Sequence, residues 1–391
     1  MENENKTLSY ILYITAIFVL LPNKIREIPF VVLSIYSILV FFKDKRFDYK
    51  SFIFLSLFFT INIISLLHSS NLKTGLTRVE GFLPFFYLTL SYSILLKRNI
   101  SFDKKFIFNW IVIFNVSNLI FLIIFLSVYA FKNSIINFNT IRDLLDELPL
   151  IGIHSIHLSI IVFLASLTCI YISRQNLKLS ILLVIPNIIL LGLCASRATF
   201  LAFVLLMFYY VFSLKFKFVY KAFLTILVFF STYLFINMNF EFNRKLNYIF
   251  QKESYQKLDL NNSSSIRYAI YNCSIDKIKK SNLFIGNGVG DVRDLMQECY
   301  DLKYPTLDKY YNTHNQFISV FLGTGLFGFS CLLLYFIILI TQGQNKFLFI
   351  TVIFYLYIFN FENVLERKYG ILIFLFFTMF VFNLFIKKKK Y

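Results

Sequence analysis

Residues 311–329 read Y-N-T-H-N-Q-F-I-S-V-F-L-G-T-G-L-F-G-F. The first positions are polar and turn-forming, whereas from Phe317 the chain is apolar almost without interruption to Ile340. A run of that length crosses a bilayer as one helix. The same pattern recurs along the chain, with apolar runs at 8–21, 28–42, 52–67, 81–96, 106–131, 156–172, 179–194, 198–212, 216–236, 347–360 and 370–386. Allowing for tilt and short half-helices, these predict an all-α polytopic membrane protein of about twelve transmembrane helices. Residues 1–391 are read as a single integral membrane domain.

The composition agrees. The chain is 58% hydrophobic and 15% charged, whereas soluble domains run near 45–50% and about 25%. The net charge of +18 would point to nucleic acid in a soluble protein. Here the cations flank apolar runs, so they are read as membrane topology and attraction to anionic headgroups. Membrane lipids are expected partners and nucleic acid is not. The start, M-E-N-E-N-K, lacks a basic region and no small-residue cleavage site follows, so no cleavable signal peptide is expected.

An even number of crossings puts both termini on one side. With the termini inside, the inner segments hold nineteen cations, among them Lys43, Arg46, Lys97, Arg98 and Lys387 to Lys390, against nine on the short outer segments. The positive-inside rule therefore favours N-in and C-in. One long hydrophilic segment, residues 237–315 between the ninth and tenth runs, then lies outside as a loop subdomain. So do all four histidines, His68, His154, His157 and His314. A cytoplasmic nucleotide site has no soluble domain to occupy, so any chemistry is expected outside.

The long loop reads as packed short helices. Ser263, Ser264 and Ser265 offer an N-cap. Ile266, Ile270, Cys273 and Ile278 share one helical face, and the helix stops at Ser281 and Asn282. Then comes L-F-I-G-N-G-V-G-D, whose Gly286, Gly288 and Gly290 suggest a tight turn before a second helix over residues 291–300. A phosphate cradle is the other reading of three glycines, but no βαβ pattern surrounds them and Asp291 would repel phosphate. Cys273 and Cys299 both fall in this loop, and the residues leave open whether they are joined. The other cysteines read as apolar fillers. No CxxC or His/Cys cluster points to zinc, and no cofactor is expected.

Arg197 follows Ser196 in A-S-R-A-T-F at the outer end of the eighth run. An arginine there either snorkels to the interface or holds an anion with its bidentate fork. Arg267, just past the loop-helix start, is either a solvated charge or a ligand group. His314 is sharper. A histidine at the wet mouth of a membrane helix, between Asn312 and Asn315 that offer to set its tautomer, suits proton transfer near neutral pH. Gly323, Gly325 and Gly328 follow as a small-residue face expected to let helices approach closely.

Taken in order, S-R-A at 196–198, the serine-rich start of a helix carrying Arg267, L-F-I-G-N-G-V-G-D, and T-H-N-Q-F-I followed by Gly325 and Gly328 resemble the O-antigen ligase and O-antigen polymerase superfamily of bacterial envelope glycosyltransferases. The motifs span residues 196–329. One departure is that Tyr268 and Tyr271 stand near Arg267 where relatives often carry tryptophan. The resemblance implies a GT-C-like, metal-independent enzyme of the bacterial inner membrane, with its active site on the periplasmic side. It implies a donor glycan on undecaprenyl diphosphate and an acceptor hydroxyl, a lipid A-core sugar for a ligase. It further implies that Arg197 and Arg267 bind the diphosphate, that His314 is the base or orients the acceptor, and that Arg78 and the pair His154 and His157 are further polar groups. Three alternatives stay open: a polymerase with the same donor, a protein O-oligosaccharyltransferase, and a polysaccharide flippase.

Overall fold

The computed structural model describes residues 2–98, 100, 102–132, 144–148, 150–213, 217–238, 240–256, 258–307, 310–343 and 345–386. Of the cations that enter the topology count, Lys215 and Lys387 to Lys390 on the inner segments and Arg142 on the outer ones lie outside the described residues. The described chain is helical with no strand. In order its α-helices are α1 (Glu2–Ala16), α2 (Ile28–Asp44), α3 (Tyr49–Ile64), α4 (Leu72–Gly81), α5 (Leu83–Lys97), α6 (Lys104–Lys132), α7 (Ser155–Ile172), α8 (Leu177–Cys194) and α9 (Arg197–Ser213). They continue as α10 (Phe218–Met238), α11 (Phe240–Phe250), α12 (Ser263–Lys280), α13 (Val292–Lys303), α14 (Gln316–Gly343), α15 (Lys346–Ile358) and α16 (Lys368–Leu375). A π-helical segment, Phe376–Phe385, prolongs the last.

Among the described residues seven stretches are long and apolar enough to cross a membrane: Tyr49–His68, Leu72–Lys97, Lys104–Phe131, Ser155–Ile172, Leu177–Cys194, Gln316–Gly343 and Lys368–Phe385. The apolar helices Arg197–Phe212, Phe218–Phe230 and Lys346–Ile358 are shorter. The runs starting near residues 8 and 28 make helices of 15 and 17 residues. The protein is thus an all-helical, polytopic membrane protein by length and composition of its helices.

The chain divides into two compact units, residues 1–29 with 103–247 and residues 30–102 with 248–391. In the first, α7 and α8 pack along each other and against α6. Their seam is polar: Asn115 Nδ2 donates to Thr168 Oγ1 (3.1 Å), Asn187 Nδ2 to Asn115 Oδ1 (2.8 Å), and Asn118 Nδ2 to Asn187 Oδ1 (3.1 Å). In lipid, where apolar contact alone gives helices little reason to associate, such bonds supply the attraction.

In the second unit α3 packs along α14, and α5 against α16. Beside them α12 and α13 form a small helical pair around Ile270, Met296 and Tyr300, joined by a Cys273–Cys299 disulfide. The helix start differs from expectation by one residue. Asn262 is the cap, accepting from the backbone N–H of Ser264 (2.9 Å) and Ser265 (3.2 Å), so the serines form the first turn.

The glycines also act differently. Gly325 breaks α14, with φ +63° and ψ −159°. A break orphans backbone groups on both sides, and these must find partners. The loop after α12 supplies them. Leu326 and Phe327 donate their N–H groups to the carbonyls of Leu283 (2.9 Å) and Phe284 (3.2 Å), and Asn287 and Gly288 donate to Leu322 (2.8 Å) and Gly323 (2.9 Å). A Cβ on Gly325 would lie 2.3 Å from the Phe284 carbonyl oxygen. Gly286 and Gly325 therefore serve one contact, a loop set into a broken helix, whereas Gly288 and Gly290 lie close against Ser69, Asn71 and Gly75. Asp291, which argued against a phosphate cradle, is bonded through its carboxylate to the N–H groups of Ser70 and Asn71 (2.7 Å each).

Candidate functional site

The site in the second unit is built from two short turns. Residues 312–316 lead into α14. Asn315 caps that helix, its Oδ1 accepting from Ile318 N–H at 3.0 Å, and Asn312 Oδ1 accepts from the His314 N–H at 3.0 Å. Between them His314 takes a left-handed backbone, φ +46°, uncommon without glycine. Both asparagine side chains are thus bonded to backbone. A further carboxylate faces the His314 ring.

That group comes from the second turn, residues 359–366, between α15 and α16. The turns are sewn together: Gln316 N–H donates to Phe359 O (2.7 Å), Leu365 N–H to Gln316 Oε1 (2.7 Å), and Asn363 Nδ2 to Thr313 Oγ1 (3.0 Å). Glu362 lies where Arg267 and His314 meet it. Arg267 donates to its Oε1 at 2.7 Å, and its Oε2 stands 3.5 Å from His314 Nδ1. The latter is ion-pair range without hydrogen-bond alignment. A guanidinium, a carboxylate and an imidazole follow one another in a chain, all partly shielded from water.

Four residues later Glu366 collects a second set. Its side chain is 5% exposed. Its oxygens accept from Asn363 Nδ2 (2.6 Å), Ser319 Oγ (3.2 Å), Arg293 (3.2 Å), Asn312 Nδ2 (3.3 Å) and Arg78 (3.5 Å). Burial alone would raise this carboxyl, but Arg78, Asn363 and Arg293 outweigh it and hold it below the ordinary carboxylate range. Tyr271, over the His314 and Asn360 carbonyls at 3.4 Å each, is shifted up by burial, against the pull of Arg267.

Of the residues expected from sequence, Arg78, Arg267, Asn312, His314 and Asn315 therefore gather in this unit. Ser196, Arg197, His154 and His157 belong to the other. There Ala195 turns left-handed (φ +46°) and Arg197 opens α9, whose Thr199 Oγ1 donates to Ser159 Oγ of α7 at 2.8 Å. His154 precedes α7. Its Nδ1 accepts from Ile156 N–H at 3.4 Å, and its Nε2 lies 3.7 Å from Asp146. The His154 and His157 rings are 5.9 Å apart.

Glu362, Glu366, Asn363 and Arg293 were not anticipated. The signal was present in F-E-N-V-L-E-R, two carboxylates four residues apart in the short gap between the last two apolar runs. Carboxylates at a membrane-helix mouth need cations to face. Among the described residues, no group of three or more His, Cys, Asp or Glu side chains is placed to hold a metal ion.

Fold and site together define a class: a polytopic helical membrane protein with a histidine, carboxylate and guanidinium site where a broken helix begins. Residues 179–333 match the family described as O-antigen ligase, a match that supports the O-antigen ligase and polymerase superfamily. The stretch holds Arg197, Arg267 and His314. It supports a general O-antigen ligase or polymerase type of function, with glycans as substrates, in a bacterial membrane. Comparison with curated proteins gives no match.

Proposed function

We propose that this protein is an O-antigen ligase-type glycosyltransferase. It moves a glycan from undecaprenyl diphosphate to an acceptor hydroxyl, a lipid A-core sugar, on the periplasmic side of the inner membrane. The reading includes twelve crossings, N-in and C-in, with residues 237–315 outside. The observation that carries it is the Arg267–Glu362–His314 chain, two of whose members lie in the family-matched stretch.

In this reading Glu362 faces Nδ1, so the Nδ1–H tautomer is favoured and Nε2 is left to accept a proton. The acceptor hydroxyl gives that proton to Nε2 as its oxygen attacks the anomeric carbon. The bond from that carbon to the diphosphate oxygen breaks, and undecaprenyl diphosphate leaves. Attack from the opposite face inverts the anomeric configuration. Glu362 steadies the imidazolium formed. Arg197 and Arg267 meet the charge growing on the diphosphate, a stabilisation that arginines provide without a metal.

The test is direct. His314→Ala and Arg197→Ala each abolish glycan transfer while the protein still inserts; normal transfer by either sinks the assignment. Acceptor choice is read from the cell. Loss of capped lipopolysaccharide with polymer left on the carrier lipid marks a ligase. A single repeat on the core marks a polymerase, and no periplasmic glycan at all marks a flippase.

A further inference from the structure

A cleft of about 1020 Å³ lies in the second unit, away from the Glu362 chain. One wall is the start of α4 with the residues before it, presenting His68, Asn71 and Lys73. The other is the glycine loop and α13, presenting Asn287, Asp294 and Glu298. Its size is at or above the ~300–1,000 Å³ usual for small-molecule sites, and its groups are mainly amides and carboxylates.

Both walls lead to the same carboxylate. Arg78, further along α4, and Arg293, next to Asp294 on α13, each donate to Glu366. Glu366 in turn accepts from Asn312, which holds the His314 backbone. The helices that form the cleft are thus the ones that brace the histidine's turn. We propose that this cleft binds a sugar chain, the glycan portion of the acceptor, and selects neutral or amino-bearing sugars over acidic ones. The acceptor role rests on the transferase reading above.

The chemistry of the lining makes the selection. Side-chain amides and carboxylates pair with sugar hydroxyls as both donors and acceptors, and Leu72 and Leu295 offer apolar surface to the sugars' C–H faces. Asp291, Asp294 and Glu298 outnumber Lys73, the single lysine or arginine in the lining, together with Lys277, which pairs with Glu298 from α12. A diphosphate or a uronic acid chain would meet repulsion here, whereas protonated amino sugars would be attracted. The arginines suited to phosphate point instead to Glu362 and Glu366.

The experiment measures binding to the full-length protein in lipid nanodiscs, with three tetrasaccharide probes: chitotetraose, its fully de-N-acetylated form, and tetragalacturonate. The first two are expected to bind, and tetragalacturonate about tenfold more weakly, the weight of about one uncompensated charge contact. Asp294→Lys should weaken the amino-sugar probe and strengthen the acidic one, and the exposed Lys73→Glu should do the opposite. Leu295→Trp should reduce all three. Binding of no probe, equal binding of all three, insensitivity to both charge variants, or displacement of the sugars by a Ser/Thr-rich peptide would overturn the proposal. Because no turnover is needed, these outcomes are separate from the fate of His314→Ala in the transfer assay.

Discussion

At the scale of the residue, Glu362 and Glu366 divide the work of one turn. Glu362 faces the imidazole and Arg267, so its loss should act on chemistry. Glu362→Gln is expected to lower kcat by about 10²-fold or more, the range of general-base effects, with little change in acceptor KM. Glu362→Asp should recover part of it. Steady-state kinetics with the isolated donor checks this. Glu366 is buried and multiply bonded, so its loss should act on stability. Glu366→Gln leaves Arg78 and Arg293 without their carboxylate and should cost about 3–5 kcal/mol, read as a lower melting temperature. The pH dependence has a definite sign. Glu366 is held lower in the folded protein than in the unfolded chain, so its contribution is complete above the ordinary glutamate value of about 4.3. It fades as the pH falls through the lower folded value. The melting difference between wild type and Glu366→Gln should therefore persist at pH 5 and shrink in stronger acid. His314, Arg197 and Arg267 were legible as polar groups in apolar surroundings. The glutamates were not singled out, because their partners lie up to 288 residues away in sequence.

At the scale of the element, the broken helix is the main device. Gly325 combines a positive φ with a neighbouring carbonyl where a Cβ would stand. Gly325→Ala is expected to cost at least about 1–3 kcal/mol from backbone strain. Gly81 has open space around its missing Cβ, and Gly81→Ala should be neutral or gain up to about 1 kcal/mol. Comparing the unfolding of the two variants separates loss of the break from a general cost of replacing glycine. The loop that fills the break connects directly to α12 and α13, so the disulfide-linked pair is held to the helix that begins at His314. Sequence spacing revealed the glycines as special but not why. Helix-packing stripe and helix break look alike until the loop's backbone is seen paired with α14.

At the scale of the whole molecule, the Cys273–Cys299 disulfide suits a compartment that permits oxidation, as expected if residues 237–315 lie outside the cytoplasm. A cysteine placed at the exposed Lys280 should react with a membrane-impermeant maleimide added to spheroplasts, and one at Arg174 only after permeabilisation. The reverse pattern would invert the proposed topology. In the first unit the seam of Asn115 and Asn118 on α6, Thr168 on α7 and Asn187 on α8 joins three helices within their apolar stretches. Polar groups there are costly unless satisfied by one another, and here they hold helices together.

The sequence by itself determined the class of this protein. Long apolar runs have few ways to satisfy their backbone in lipid except as helices, and cations clustered between such runs carry orientation. Its motifs also led to the O-antigen ligase superfamily, because His314, Arg197 and the glycines stand out against a uniformly apolar chain. Only the tertiary structure decided which groups share a site. Ion pairs depend on side chains a few ångströms apart, and that proximity is set by how α4, α12, α13 and the turn at 359–366 meet around the start of α14. Hence His314 was readable at once, while Glu362, facing its ring from 48 residues downstream, came into view only with the fold.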